Sequence, residues 1–327
     1  MLSAPPPAPS AAPSSARRRI GADAVETRWT APDGWAIGRI DWLVPRGVPR
    51  GSLLFLPGRG DCYEKYLESL DHWHELGWRV TASDWRGQGR SGRLGTDPVT
   101  GHVDDFATWV DDLAALWAGW KASTQGPHVL VAHSMGGHIA LRALAERRVD
   151  PDAVVLTAPM LAFLPQFVPT GLLHSAARAM VRLGDPRRPA WKWSEKPGAV
   201  PVDRSDLLTH DATRYADELW WREARPELVM GPGSWGWVER ALASIRGLER
   251  PGVLEAVTTP VLIVATRADR LVGYKAIERA ARRLPRAQLL AFGDEARHEV
   301  LREADPVRDK VLAAIDDFLD RMAPRAD

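Results

Sequence analysis

Three side-chain types that together can open a carboxylic ester or amide occur in a usable order: Ser134, then Asp269 or Asp294, then His298. A serine hydroxyl is a poor nucleophile until a base takes its proton, and the usual base is a histidine held by a carboxylate. Ser134 stands at the apex of His133-Ser134-Met135-Gly136-Gly137, between an apolar run (128–132) and a stretch with helical spacing that includes Ile139, Leu141 and Leu144. Strand, tight turn and helix form the setting of a nucleophile elbow, in which a strained turn lifts the hydroxyl clear of a sheet. The pentapeptide reads Ala132-His133-Ser134-Met135-Gly136, so alanine replaces the first glycine of Gly-x-Ser-x-Gly. Alanine is the next smallest residue, and the elbow tolerates it. Five-residue patterns of this kind also arise by chance, so the elbow needs its partners.

Downstream of Ser134 the histidines are His138, His174, His210 and His298. Only His298 falls in a loop after the last strand-like run. His138 belongs to the elbow helix, and His174 and His210 to a helical region, so His298 is expected to be the base. Asp269 follows the apolar run 260–265, whereas Asp294 lies in the histidine's own loop. The orienting acid must approach the imidazole nitrogen that faces away from the serine, and a neighbouring strand-end loop supplies that direction more easily. Asp269 is therefore the expected acid, and Asp294 a turn former. The tetrahedral intermediate needs two backbone N–H donors. Met135, directly after the nucleophile, supplies one, and Arg59, in Pro57-Gly58-Arg59-Gly60, is the expected second. Because the backbone donates, the side chain at position 59 is expected to matter little.

These residues must be positioned by a sheet. Residues 26–44 read as a hairpin turning at Pro32-Asp33-Gly34. Further strands are expected at 52–56, 78–84, 128–132, 153–157, 260–265 and 287–291, with helices at 66–76, 106–120, 274–283 and 307–322. Alternating strands and helices predict an α/β fold with a mostly parallel sheet covered on both faces. The rhythm breaks over 160–249, which carries Trp191, Trp193, Trp220, Trp221, Trp235 and Trp237. This region is expected to be a helical cap over the carboxyl ends of the strands, where open α/β sheets place their sites. Residues 21–159 and 250–327 then form the core. Residues 1–20, rich in Pro, Ala and Ser, are expected to be a disordered tail. Within the cap, the apolar stretch 161–168 could line an acyl pocket, with Phe163 and Phe167 as its substrate-binding residues. Nearby Arg182, Arg187, Arg188, Lys192 and Lys196 suit a phosphate-bearing interface.

The 327 residues are 45% hydrophobic with a formal net charge of +1, enough for a large core and too balanced to argue for nucleic acid. The lone Cys62 excludes an internal disulfide and a zinc framework. No apolar run is long enough to span a bilayer. A cytoplasmic protein is expected, with room for peripheral contact through the cap at the inner face of the membrane. Gly87-Gln88-Gly89-Arg90-Ser91-Gly92 matches the dinucleotide fingerprint, but no helix opens directly after it, so nucleotide binding is rejected. No cofactor or metal is expected.

Taken together, Leu56-Pro57-Gly58-Arg59, Asp84-Trp85-Arg86-Gly87-Gln88-Gly89-Arg90-Ser91-Gly92-Arg93, Gly101-His102-Val103, Ala132-His133-Ser134-Met135-Gly136-Gly137 and Leu156-Thr157-Ala158-Pro159-Met160 resemble the bacterial lysophospholipases of the α/β-hydrolase superfamily, relatives of monoacylglycerol lipases. Leu208-Thr209-His210-Asp211 and Gly231-Pro232-Gly233-Ser234-Trp235 are similar to that group too. The resemblance runs from about residue 29 to 318. It implies an α/β-hydrolase fold with an inserted helical cap, and it places Ser134, Asp269 and His298 on the family's triad. Pro57-Gly58 departs from the His-Gly that often opens the oxyanion loop. The implied activity is hydrolysis of lysophospholipids or monoacylglycerols through an acyl-enzyme. The alternatives are a short-chain carboxylesterase, a peptidase of the proline-iminopeptidase type, and a catalytically silent binding protein on the same scaffold. Epoxide hydrolases and dehalogenases of this fold need an aspartate where Ser134 stands.

Overall fold

Runs such as Ser52-Leu53-Leu54-Phe55-Leu56 lack polar alternation, which suits a strand only when both its faces are covered. The computed structural model describes residues 14–42, 49–164, 168–191 and 204–325 and shows that covering. The strands are β1 (Ala24–Thr30), β2 (Ala36–Trp42), β3 (Gly51–Leu56), β4 (Trp78–Ser83), β5 (His128–His133), β6 (Ala153–Thr157), β7 (Val261–Thr266) and β8 (Ala287–Phe292). Among the described residues they make one eight-stranded sheet in the order β1-β2-β4-β3-β5-β6-β7-β8. The β1–β2 hairpin and the β2–β4 pair are antiparallel, and the other pairings are parallel. This is the α/β-hydrolase architecture.

The helices are α1 (Ser14–Arg17), α2 (Leu67–Glu75), α3 (Phe106–Ser123), α4 (Ser134–Ala145), α5 (Thr170–Arg182), α6 (Ser205–Leu208), α7 (Ala212–Ala224), α8 (Trp235–Glu249), α9 (Tyr274–Arg283) and α10 (Asp305–Met322). Side chains alternate between two cores, as a period of two requires. Leu54, Leu130, Val154 and Ile263 face a core closed by α3, α4, α8 and α9. Leu53, Val129, Val155 and Leu262 face the other, closed by α2 and α10. Asp105 starts α3 by accepting a hydrogen bond from the Ala107 N–H at 2.8 Å, which satisfies one of the helix's free first-turn donors.

Between β6 and β7 the chain leaves the sheet and builds α5, α6, α7 and α8 before returning. Buried side chains and a backbone bond fasten this segment to the sheet domain. Buried Arg214 of α7 reaches Glu68 of α2 at 2.8 Å and Asp305 of α10 at 2.7 Å. The Gly101 N–H donates to the Pro232 carbonyl, and His102 Nδ1 meets Ser234 Oγ at 2.7 Å. His174 of α5 pairs with Glu239 of α8 at 2.9 Å and closes the segment on itself.

The expected tail requires a correction from Ser14 onward. Arg17 and Arg18 bond to Asp217 of α7 at 2.5 and 2.7 Å, and the Trp221 Nε1–H donates to the Arg17 carbonyl. A buried carboxylate and an indole N–H hold in place a segment whose composition alone could not fold. Residues 1–13 lie outside the described residues.

Candidate active site

The sharp turn from β5 into α4 puts Ser134 at φ = +52°, a region that a side chain with a Cβ seldom enters. Only a tight strand-to-helix reversal supplies the reason for such strain. Gly136 makes the reversal possible: a Cβ there would lie 2.3 Å from the Pro57 carbonyl oxygen at the end of β3. Ala132, in place of the usual glycine, is completely buried and fits.

Loops after β7 and β8 bring the partners. Ser134 Oγ lies 3.0 Å from His298 Nε2, and His298 Nδ1 lies 2.7 Å from Asp269 Oδ2. The other Asp269 oxygen accepts from the Leu271 and Val272 N–H groups at 2.8 and 2.9 Å, which fixes the carboxylate plane. The Thr266 hydroxyl donates to the Gly293 and Ala296 carbonyls and ties the histidine loop to the end of β7. Asp294 is exposed in that loop and makes no bond to His298.

On Asp269, burial opposes ionisation. The His298 charge, its hydrogen bond and the two backbone donors reverse this and hold the carboxyl below its usual range. On His298, burial disfavours the imidazolium. The Asp269 charge and hydrogen bond, with Glu299 and Asp61 beyond, overcome it and raise the pKa above 6.5. If His298 must be neutral to accept the serine proton, kcat/KM falls tenfold per pH unit below that raised pKa. The acid limb of the profile is thus expected to bend above pH 6.5. Asp269→Asn removes the main raising influence and moves the bend downward. A native profile flat to well below pH 6.5 would contradict the assignment. Neighbouring His133 cannot confuse the reading, because burial, then the His298 charge, push its pKa down to about 3.

Met135 follows Ser134 directly, and Arg59 lines the same cavity as Ser134. A Cβ at Gly58 would lie 3.1 Å from Ser134 Cβ, so glycine lets the loop after β3 approach Ser134. The Gly58 N–H is held by Asp61 and the Gly60 N–H by Gln88, leaving Arg59 between two pinned positions. The Arg59 side chain, expected to be incidental, enters the cavity and packs against Trp191 and Trp237.

Beneath the histidine lies a feature that local sequence did not signal. The Lys65 ammonium touches Asp61 at 3.0 Å, Glu218 of α7 at 3.0 Å and Glu299 at 2.6 Å, all buried. Asp61, His133 and Glu299 bring donor atoms within 4.8 Å of one another, a spacing that could suit a metal. Lys65 already supplies the positive charge against both carboxylates, so these residues do not fit an ion.

A cavity of about 560 Å³ opens over Ser134 and His298. Met160, Phe163, Leu164, Leu173, Trp237 and Leu242 make its apolar walls, and Arg59, Lys65, Arg204 and Arg222 part of its polar lining. Phe163 packs 5.8 Å from the Trp237 ring, whereas Phe167, Trp193, Lys192 and Lys196 lie outside the described residues. The tryptophans divide. Trp191, Trp235 and Trp237 line the cavity, while Trp221, with Trp220 packed beside it, belongs to the core under α7. Arg182, Arg187 and Arg188 do not reach the cavity. Arg188 instead donates to the Met180 and Asp185 carbonyls.

The family described as serine aminopeptidase, S33 matches residues 47–305. Lysophospholipase L2 of Escherichia coli (strain K12) is 34% identical over 287 residues, covering 82% of this chain and 80% of that protein. Monoacylglycerol lipase of Mycolicibacterium smegmatis is 27% identical over 236 residues, covering 71% and 75%. Among solved structures, a soluble variant of monoglyceride lipase from Saccharomyces cerevisiae in complex with a substrate analogue gives a TM-score of 0.71 at 20% identity, covering 91% and 95%, a likeness of fold.

Proposed function

The chain belongs to the serine aminopeptidase S33 family of α/β-hydrolases and is a carboxylic ester hydrolase, and from that premise we propose that it cleaves the esters of single-chain lipids, lysophospholipids or monoacylglycerols, through an acyl-enzyme on Ser134. The observation that carries this reading is the unbroken chain Ser134–His298–Asp269 at the floor of an apolar cavity.

Ser134 Oγ attacks the ester carbonyl while His298 Nε2 takes its proton. Asp269 holds Nδ1–H and stabilises the imidazolium. The carbonyl oxygen becomes an oxyanion, held by the Met135 and Arg59 N–H groups. Collapse breaks the bond to the glycerol oxygen, which leaves with the proton from His298. Water, deprotonated by His298, then releases the fatty acid and restores the serine.

The cavity argues against an aminopeptidase reading. An N-terminal ammonium needs a free carboxylate, and among the described residues those that line the cavity, Asp61, Glu218 and Glu299, are all bound to Lys65. Residues 160–249 act, in this proposal, as a cap whose α5 and α8 form the acyl wall. Peripheral contact with a lipid surface is part of the same reading. Leu164, Leu172, Leu183 and Trp191, four of the six exposed large apolar side chains among the described residues, cluster in this stretch. No helix among the described residues is long and apolar enough to cross a membrane.

Each buried methylene contributes about 0.8 kcal/mol, so kcat/KM should climb roughly fourfold per methylene along a homologous ester series until the cavity fills. Phe163→Ala should flatten that climb by removing an apolar wall, with Phe167→Ala measured alongside. A flat or falling profile from butyrate to laurate in the native chain would favour the short-chain carboxylesterase and leave the roles of Ser134, Asp269 and His298 untouched.

A further inference from the structure

Among the described residues, cations outnumber carboxylates in the polar lining of the cavity, and one of them, Arg59, belongs to the loop after β3. The cationic side chains Arg59, Lys65, Arg204, Arg222 and Arg270 face the carboxylates Asp61, Glu218 and Glu299. Every one of those carboxylates is engaged. Lys65 binds all three, and Arg302 adds bonds to Glu218 and Glu299. Arg222 adds another to Glu218 at 2.7 Å.

Among the described residues Arg59 has no such partner. Its guanidinium lies 5.2 Å from the Trp191 ring centroid and 4.9 Å from that of Trp237. Nη2 donates to the Gly231 carbonyl at 2.8 Å, and Nε is buried with no acceptor. Among the described residues no carboxylate oxygen comes within 4.0 Å of it. Burial, then the charge of Arg204, lower its pKa to about 9, which leaves it protonated at neutral pH. Desolvated cations are ordinarily matched by an anion. The ring contacts hold this side chain in place without using its N–H groups.

Position adds the second half of the argument. The Arg59 backbone is the loop residue that would hold the oxyanion, so its side chain starts beside the ester carbonyl. In a lysophospholipid, the phosphate is separated from that carbonyl by one glycerol unit, a span that an extended arginine matches. A planar guanidinium is the side chain best suited to phosphate oxygens.

We propose that Arg59 is a headgroup-binding residue that takes the phosphate of a lysophospholipid, so that a phosphate-bearing single-chain lipid is preferred over a neutral monoacylglycerol. This rests on the ester-hydrolase reading above. Arg204 faces the same space and adds positive charge.

The test is the ratio of kcat/KM for a lysophospholipid to that for a monoacylglycerol of the same acyl chain, in the full chain and in Arg59→Gln, Arg59→Lys and Arg204→Gln. Damage to the oxyanion loop affects both substrates and divides out of the ratio. Arg59→Gln should lower the ratio on the order of 10- to 100-fold, the loss expected for a hydrogen bond to a charged group. Arg59→Lys, which keeps the charge and loses the fork, should fall between, and Arg204→Gln should lower the ratio less. Glycerol 3-phosphate should inhibit hydrolysis of the neutral ester competitively in the native chain. This arm stands even if the Arg59 variants fail to fold. An unchanged ratio in Arg59→Gln would overturn the proposal, as would absence of inhibition by glycerol 3-phosphate in the native chain. Inhibition by inorganic phosphate with an unchanged ratio would mark a site for free anion and also overturn it. A native chain that hydrolyses only the neutral lipid defeats the headgroup assignment alone. One that hydrolyses neither lipid defeats the lipid-ester reading, and this proposal falls with it.

Discussion

Ser134→Ala is expected to fold as the native chain does and to lose ester hydrolysis by on the order of 10⁶ in kcat, the loss seen when a triad nucleophile is removed. Alanine keeps the Cβ, so the strained φ of +52° is neither worsened nor relieved, and the buried elbow loses a single oxygen. The His298 ring keeps its bond to Asp269, and its orientation should survive. Thermal unfolding should therefore be nearly unchanged while turnover disappears, a separation that a merely structural serine would not show. A fluorophosphonate probe should label the native chain at Ser134 and leave the alanine variant unlabelled. Failure of the native chain to react would turn the interpretation toward a silent binding protein on this scaffold. Substantial activity in a clean Ser134→Ala preparation would remove the nucleophile assignment altogether.

The second large effect is expected at the acid. Asp269→Asn should lower kcat on the order of 10⁴, with little change in substrate binding. The reason lies in the two hydrogen bonds on the far oxygen. The Leu271 and Val272 N–H groups require an acceptor there, so the asparagine must turn its carbonyl toward them. Its NH₂ group then faces His298 Nδ1 and forces that nitrogen to accept. The proton moves to Nε2, which can no longer take one from Ser134. Asp294→Asn changes an exposed loop residue with no bond to the histidine and should leave the rate close to native. Reversal of the two effects would assign the acid to the histidine's own loop.

How much of this was legible in the residues depends on the range of the interaction that fixes each part. The sheet was readable because strands buried on both faces must be continuously apolar, and helix 274–283 emerged from periodicity with its bounds intact. Ser134 was readable because an elbow is a local event, confined to one turn and the glycine that lets it pass β3. His298 followed from its place after the last strand and Asp269 from the direction that a neighbouring strand-end loop offers, and the fold brings both within hydrogen-bond distance of the required atoms. The setting of the Arg59 side chain was not readable, because its ring partners come from a distant insertion. Lys65 was hidden for the same reason. It sits in a single turn of 3₁₀ helix, and two of its carboxylates are more than 150 positions away. The seating of Arg17 on Asp217 shows how composition misleads when a segment is held by a partner outside itself.

The Lys65 contact sets how the entrance can move. One ammonium joins the loop after β3 through Asp61, the histidine loop through Glu299 and helix α7 through Glu218. Lifting α7 would separate buried charges and drag together at the loops that carry Asp61 and His298. Along that side the cap is moored. At α5 the side-chain anchor is His174, which pairs with Glu239 and accepts from Arg246, both of α8, and the helix carries Leu172 on its exposed side, with Leu183 just beyond its end. If residues 160–249 cap the site as proposed, displacement would cost least at α5, and a long acyl chain would enter, and the freed fatty acid leave, on that side with α7 as the hinge.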